Sequence, residues 1–537
     1  MNRRRFVQTT ALTSLALPLL GRAQPAAAQA GIEILPGEPI ATIAPELHGQ
    51  FTEHIGAVIY DGIWVGEGSA IPNIHGYRKQ LVELLQPLKV PVLRWPGGCF
   101  ADSYDWRDGI GPRAQRPRRT NFWIGAFPKA TPDGPQKYDP NSFGTDEFLG
   151  FCRLIGTEPY LAANVRSLSP LDFDRWVEYC NAPAGLTTLS DQRAANGSRQ
   201  PYDVRFWGVG NEAWGCGGNF TPEDYAAEFR RYSAWVPRYG QPLRFIASGP
   251  NQGDVEWTRR FFGSMTARGG ERGLNNVWGW AMHDYSGGGF PALHYDANGW
   301  YAGLNSALTM EPLIGRHWAA MGEEDPQHRV KLVVDEWGSW NPGGPEDEPS
   351  HLFEHVPTLR DALMTGLTLD TFHRHADKIA MANAAQLVNN IHASLLTRGD
   401  QCIVTPNYHV FRMYAAHRGG RALRTLFLDQ PITFQYKGKE ETLPGLSGSA
   451  SQQGKTVTLT VVNTDAAEVR EAGIRVRGAA ITSAQATVLT SPDLTAHNSF
   501  EAPDALHPRE VPARVANGEV IFVFPAASVT ALRLEIS

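Results

Sequence analysis

From about residue 46 to residue 392 the chain alternates short apolar runs with longer amphipathic ones, over and over. Eight short runs read as buried strands: near His48–Phe51, Val90–Arg94, Glu158–Ala163, Val204–Val209, Phe245–Ser248, Val277–Met282, Leu332–Asp335 and Ile379–Ala382. Between and after them, helical periodicity covers Tyr77–Leu88, Thr145–Ile155, Leu171–Cys180, Thr221–Val236, Val255–Ala267, Gly303–Met321 and Thr358–Ala376. Thr221 ahead of Pro222, Glu223 and Asp224 is a strong helix start: a hydroxyl cap, a proline where no N–H is needed, and acids in the first turn. Alternation of this kind leaves two architectures, a closed (β/α)8 TIM barrel or an open doubly wound sheet. No GxGxxG turn follows the first strand, so the α/β reading is the barrel.

After residue 392 the texture changes to period-two alternation. Lys455–Asn463, Gly473–Val476, Ala486–Leu489, Val520–Phe524 and Ser528–Ile536 are punctuated by Gly, Pro and Asp, and they predict an antiparallel β-sandwich. Ile32–Leu35 has strand character but no local partner, and completing that sandwich would give it one. At 537 residues the chain is too long for one ordinary core. The expected organisation is a signal segment at 1–30, a catalytic barrel at 46–392, and a sandwich built from 31–45 plus 393–537.

In the barrel reading, polar groups at the C-terminal strand ends share one mouth. Glu53, Arg94, Glu212, His283 and Glu336 all fall there. Glu212 closes the run Trp207-Gly-Val-Gly-Asn-Glu, and Glu336 closes Leu332-Val-Val-Asp-Glu. Charged groups are rarely placed at the end of a buried strand unless paired or used. Two carboxyl groups facing one cleft suit glycoside hydrolysis, one protonating the leaving oxygen and the other attacking carbon or activating water. At about 5–5.5 Å the second ionisation is disfavoured, and the titration belongs to the pair. Asn211 beside Glu212 can bond a sugar 2-hydroxyl. Trp214, Trp337 and Trp340 flank the acids as candidate sugar platforms, each also a candidate core residue. His283 and Tyr285 add an imidazole and a phenol, and Arg94 can hold a carboxylate in place.

A net charge of −6 and the absence of a long basic run exclude nucleic acid as the natural partner. The four arginines in 113–119 are broken by Pro117 and read as a structured loop. No metal site is expected: the cysteines form no CxxC pair, and His373 and His375 lack evident co-ligands. The N-terminus carries Asn2-Arg-Arg-Arg-Phe-Val-Gln8, an apolar stretch Ala11–Leu20 too short to span a bilayer, and Ala28-Gln-Ala30 as a small-x-small cleavage site. This resembles a twin-arginine export signal and predicts a periplasmic or secreted protein. No later apolar run is long enough for a membrane helix.

Six motifs taken in order resemble the retaining α-L-arabinofuranosidases of glycoside hydrolase family 51. They are Gly49-Gln-Phe-Thr-Glu-His54, Arg94-Trp-Pro-Gly-Gly-Cys-Phe-Ala-Asp102, Trp106-Arg-Asp-Gly-Ile-Gly-Pro-Arg113, Trp207-Gly-Val-Gly-Asn-Glu212, Val334-Asp-Glu-Trp337 and Met381-Ala-Asn-Ala-Ala-Gln-Leu-Val-Asn389. The resemblance covers nearly all of the chain after the signal segment. It implies the barrel and sandwich, Glu212 as acid/base, Glu336 as nucleophile, and Glu53, Asn211, Tyr285 and Gln386 on the furanose, with Arg94 positioning the nucleophile. It also implies no metal or organic cofactor, a substrate that is an arabinose-containing polysaccharide or oligosaccharide, and a homo-oligomer, often a hexamer.

One position departs from the pattern. Some members carry Asn where this chain has Cys99, and a thiol is a poor substitute for an amide that contacts sugar hydroxyls. Cys99 and Cys216 both follow strand ends, and in an exported protein they are either a disulfide or two free thiols lining the site. The function this points to is exo-acting release of terminal α-L-arabinofuranosyl groups by double displacement. The alternatives are the same mechanism on a β-xyloside, β-glucan or other furanoside, and an inactive carbohydrate-binding protein.

Overall fold

The computed structural model describes residues 30–127, 133–287, 289–348 and 351–537. The expected signal segment lies outside them, except for Ala30 at its end. Eight parallel strands close into a barrel in sequence order: Gly49–Phe51, Val92–Trp95, Glu158–Ala163, Phe206–Val209, Arg244–Ala247, Gly279–Ser286, Lys331–Ser339 and Ile379–Ala385. Each coincides with an expected strand. The sixth and seventh run on past their expected ends because they rise together to form the wall of the mouth.

Period-two alternation sorts the side chains. Val92, Tyr160, Phe206, Ile246, Ala281, Val333 and Met381 fill the barrel interior. Their neighbours Leu93, Trp95, Leu161, Trp207 and Val209 face the opposite way and pack into the core shared with the helix ring. Thr221 caps the helix Pro222–Ser233 by accepting the Asp224 N–H, as its sequence predicts. The eighth strand has a helix of its own, Pro406–Tyr414, packed between helices Leu359–Arg374 and Lys79–Leu88. That helix lies beyond residue 392, where the sequence suggested that the sandwich begins. It is only nine residues long and is separated from the last strand by the hairpin Leu395–Val404, so no long periodic pattern announces it.

The C-terminal domain is a single ten-stranded sheet folded back on its own apolar core. Ala30–Thr42 lies inside this sheet, antiparallel to Arg421–Leu428 and parallel to Arg470–Val476. The orphan strand thus finds both its partners in the last quarter of the chain. Four of the sheet's strands escape sequence reading, Arg421–Leu428, Leu446–Gln453, Arg509–Val511 and Arg514–Ala516. The second, Leu-Ser-Gly-Ser-Ala-Ser-Gln-Gln, looks like a loop, yet Leu446 to Ser451 are all buried. Small residues let it pass close to helix Leu359–Arg374, and its Ser449 bonds across to that helix.

Those bonds belong to a buried polar seam between the two domains. Asp370 accepts from Ser449 Oγ (2.7 Å), Thr460 Oγ1 (2.6 Å) and Tyr414 OH (2.9 Å). With its proton given to Asp370, Ser449 Oγ accepts from His373 Nδ1 at 3.0 Å. His373 Nε2 then accepts from His48 Nε2 at 2.9 Å. His417 joins through Ser451 Oγ (2.8 Å) and Thr460 Oγ1 (3.1 Å).

Burial depresses all three imidazoles, His417 to about 3, and the nearby Arg418 guanidinium opposes a charge on His48 and His373 as well. Burial pushes Asp370 the other way, to about 7. The imidazoles contribute stability that is present above their unfolded value of 6.5 and is lost as pH falls towards their folded values. Asp370 contributes in the opposite sense, since its folded carboxyl holds a proton that the unfolded chain releases. Three groups outweigh one. The seam's contribution to the melting temperature is therefore expected to fall from about pH 7 to about pH 4, and His373→Asn should remove part of that fall even where it lowers stability at neutral pH. Differential scanning calorimetry across the range reads both effects, and identical slopes for the two proteins would remove the seam as the cause.

Candidate active site

At the C-terminal end of the barrel, Arg94 is fully buried and organises what surrounds it. Its Nη1 donates to Glu336 Oε1 at 2.8 Å and its Nη2 to Asn211 Oδ1 at 2.6 Å, while Nε lies 3.7 Å from Asp335 Oδ2. The Phe51 ring lies under the guanidinium, 4.7 Å from its carbon. One side chain of the second strand thus ties the fourth strand's end to the seventh.

Asp335 and Glu336 are adjacent, and in a regular strand they would face opposite sides of the sheet. Here the register slips: Met282 pairs with Val334, but His283 pairs with Glu336. This bulge turns both carboxylates towards Arg94. Asp335 accepts from Tyr160 OH at 2.9 Å deeper in the barrel. Glu336 sits at the mouth, where Tyr285 OH donates to its Oε2 at 2.8 Å. Burial works against a charge on Glu336, but His283 and Arg94 overcome it and hold this carboxyl below its usual range. The same carboxylate, with burial, keeps the Tyr285 phenol far above its usual range and so a donor.

Glu212 follows Gly210 and Asn211 at the end of the fourth strand, with left-handed backbone at Gly210 (φ 83°) and at Glu212 itself (φ 40°). That conformation costs an L-residue about 1–2 kcal/mol and turns the side chain into the mouth. The loop is held by Asp102, buried, whose Oδ2 accepts the Asn211 N–H at 3.0 Å and whose Oδ1 accepts Val165 N–H at 2.8 Å. A side chain at Gly217 would run into the Asn211 carbonyl, which is why the loop closes this tightly only with glycine there. His283 Nδ1 lies 3.1 Å from Glu212 Oε1 and 3.5 Å from Glu336 Oε2. An oxygen of each glutamate and that nitrogen all lie within 4.8 Å of one another. Burial disfavours a charged imidazole, but Glu336 and the bond to Glu212 raise His283 above its ordinary value.

Glu53 approaches from the first strand. It accepts Phe100 N–H (3.0 Å) and Gln386 Nε2 (3.2 Å). Burial first, then the neighbouring Glu336 charge, pushes it up to about 8, so it carries a proton at neutral pH and can donate as well as accept. Gln386 Oε1 is buried with no protein donor, an acceptor facing the mouth.

All ten candidate site residues come to this mouth or its rim. Trp340 stands on the rim, 43% exposed, edge-on to Tyr285 with ring centres 5.2 Å apart. Trp337 does not flank the carboxylates. It is 1% exposed and packs outward against Phe372 and Phe411, because the strand resumes its alternation after the bulge. Cys99 and Cys216 are joined in a disulfide, which decides between the two readings that the sequence left open. Sequence reasoning assigned no role to Asp102 or Asp335. Asp335 was visible as an acid ending an apolar strand, but nothing local marks the bulge.

Two groups of potential metal ligands occur among the described residues, and both lie here. In Cys99, Glu212 and Cys216 the sulfurs are bonded to each other and offer no thiolate. In Glu212, His283 and Glu336, Arg94 already supplies a fixed positive charge to the carboxylate.

Removing that charge should be costly. Arg94→Met leaves Asp335 and Glu336 buried without their cation, and a loss of about 3–5 kcal/mol in urea unfolding is expected. A loss below about 1 kcal/mol would mean that the carboxylates relax into solvent.

Residues 84–265 match the family description Alpha-L-arabinofuranosidase 1 domain, and residues 335–528 match Alpha-L-arabinofuranosidase C-terminal domain. An intracellular exo-alpha-L-arabinofuranosidase of Bacteroides ovatus is 37% identical over 501 residues, which is 92% of this chain and 93% of the relative. The crystal structure of the GH51 arabinofuranosidase of Xanthomonas axonopodis pv. citri aligns with a TM-score of 0.86 at 36% identity, covering 94% of this chain and 100% of that one. The arabinose complex of the Thermotoga maritima alpha-L-arabinofuranosidase aligns at 0.81 and 29%, with the same coverage.

Proposed function

The chain belongs to the α-L-arabinofuranosidases of glycoside hydrolase family 51, and from that premise we propose that it releases terminal non-reducing α-L-arabinofuranosyl groups from arabinan, arabinoxylan or oligosaccharides with retention. The observation that carries the mechanism is the approach of Glu212 to Glu336 within 4.8 Å between carboxylate oxygens, with Arg94 and Tyr285 both bonded to Glu336. Retaining pairs stand about 5–5.5 Å apart, whereas inverting pairs need about 6.5–9.5 Å to admit a water.

Glu336 is the nucleophile. It is held ionised, and its two donors fix the carboxylate facing the sugar. Glu212, with more of its side chain open to solvent, protonates the leaving oxygen and then deprotonates the incoming water. Asn211 is oriented by Arg94: a guanidinium can only donate, so the amide oxygen faces it and the amide nitrogen is left to meet the 2-hydroxyl. Glu53, Gln386 and Tyr285 bind the remaining furanose hydroxyls and ring oxygen, and Trp340 packs at the rim towards the leaving group.

A panel of nitrophenyl glycosides tests the sugar. The α-L-arabinofuranoside is expected to be the best substrate, and activity confined to a xyloside or glucoside would transfer the same machinery to another sugar. Glu336→Gln should abolish turnover. Glu212→Ala should retain most of kcat/KM for a nitrophenyl substrate, with azide restoring kcat by taking the place of water on the glycosyl–enzyme and giving the α-configured glycosyl azide. Azide without effect would reverse the assignment of roles.

The protein is exported, in this reading, by the twin-arginine segment that precedes Ala30. A disulfide is at home in an oxidising compartment and supports this, in contrast to the Bacteroides relative, whose name is intracellular. Arg3→Lys with Arg4→Lys should leave the protein in the cytoplasm on fractionation. The assembly is taken to be a homo-oligomer, which light scattering reads directly.

A further inference from the structure

The Cys99–Cys216 bridge joins the loop after the second strand to the loop after the fourth, across the end of the third, with Cα atoms 5.5 Å apart. Both cysteines are partly exposed on the mouth. Their sulfurs lie 3.8 Å and 3.6 Å from Glu212 Oε2. We propose that this disulfide is a positioning element for Glu212, and that opening it with a dithiol weakens proton transfer to the leaving group and from water while sparing the attack on the anomeric carbon. This rests on Glu212 being the acid/base.

The geometry separates the two carboxylates. Glu336 takes its position from Arg94 and Tyr285, whereas the bridge lies against Glu212 and, through Cys216 Sγ, 3.8 Å from Asn211 Nδ2. Glu212 has left-handed backbone, one oxygen against His283 and the other against the two sulfurs. A bonded sulfur carries no hydrogen, so the bridge shapes the space around Oε2 without donating to it. Cys216 is four residues from Glu212 in the same turn, where the Gly215 and Gly217 N–H groups both donate to the Glu212 carbonyl. The bridge therefore anchors the turn that holds the acid. The base of that loop has a separate tether, Asp102 on the Asn211 N–H, so opening the bridge frees the Glu212 turn and leaves the strand end in place.

In the opening step, one thiolate of the dithiol attacks a cystine sulfur and the other cysteine leaves as a thiolate. The second thiol of the reagent then displaces the remaining cysteine, closing its own cyclic disulfide. Two electrons pass to the protein, and two protons make both cysteines thiols. Two weak S–H donors then stand beside Oε2 in place of two non-donors and compete with the leaving oxygen for that carboxyl. Both changes oppose its service as an acid.

The experiment compares oxidised, dithiothreitol-reduced and reoxidised enzyme on arabinofuranosides of graded leaving groups, with mass spectrometry after alkylation to verify that this bridge has opened. Cys152, Cys180 and Cys402 are buried free thiols. With an alcohol leaving group, kcat/KM is expected to fall by roughly tenfold or more, part of the 10²–10⁴ that a positioned acid supplies. With a dinitrophenyl leaving group kcat/KM should hold, kcat should fall, and azide should restore kcat. Reoxidation should reverse the change, and Cys216→Ser should reproduce it. Equal losses on all leaving groups would assign the bridge to general stability, and no loss on any would remove it from the mechanism. An oxidised enzyme without arabinofuranosidase activity would instead overturn the proposed function.

Discussion

The site depends on one guanidinium with no access to water. A buried arginine is tolerable only when its charge is met, and Arg94 donates to Glu336 and Asn211 and lies 3.7 Å from the Asp335 carboxylate. Each bond has a consequence. Glu336 stays ionised despite burial, Asn211 is forced to present its amide nitrogen, and the bulge that brings Asp335 inward brings Glu336 to the mouth. Glu53 then feels a fixed negative neighbour and keeps its proton. A cluster of like-signed acids is thereby divided into a charged carboxylate, the proposed nucleophile, and a neutral hydrogen-bonding group.

The proposed acid/base stands apart from this arrangement. Glu212 reaches the mouth through backbone strain, an aspartate tether and a disulfide, not through the arginine. The separation has a chemical logic. A nucleophile must be unprotonated when it attacks, whereas an acid/base must exchange its proton twice in each cycle and needs a position more than a fixed charge.

The sandwich supports the barrel from behind. Its strand Leu446–Gln453 lies against helix Leu359–Arg374, which returns from the seventh strand carrying Glu336, and the His–Asp seam locks that contact without a single exposed group. Ala30–Thr42, far from this region in sequence, is a central strand of the same sheet. The two domains are for that reason interwoven, with the chain starting in one, building the other and coming back.

Strand and helix periodicity, and the two acids that end apolar runs, are local properties, so the eight strands, the barrel and the pair Glu212 and Glu336 were legible in the sequence alone. The motif order extended this to Glu53, Arg94, Asn211, Tyr285 and Gln386. What local pattern cannot carry is register and pairing over distance. A one-residue bulge sets Asp335 and Glu336 on the same side and sends Trp337 into the core, while a strand of serines becomes buried because a helix passes over it. Two cysteines 117 residues apart bond because the closed barrel brings their loops together. Side-chain chemistry determined which groups were available to react. Closure of the barrel decided which of them meet, because only there do strand ends from distant parts of the chain share one mouth.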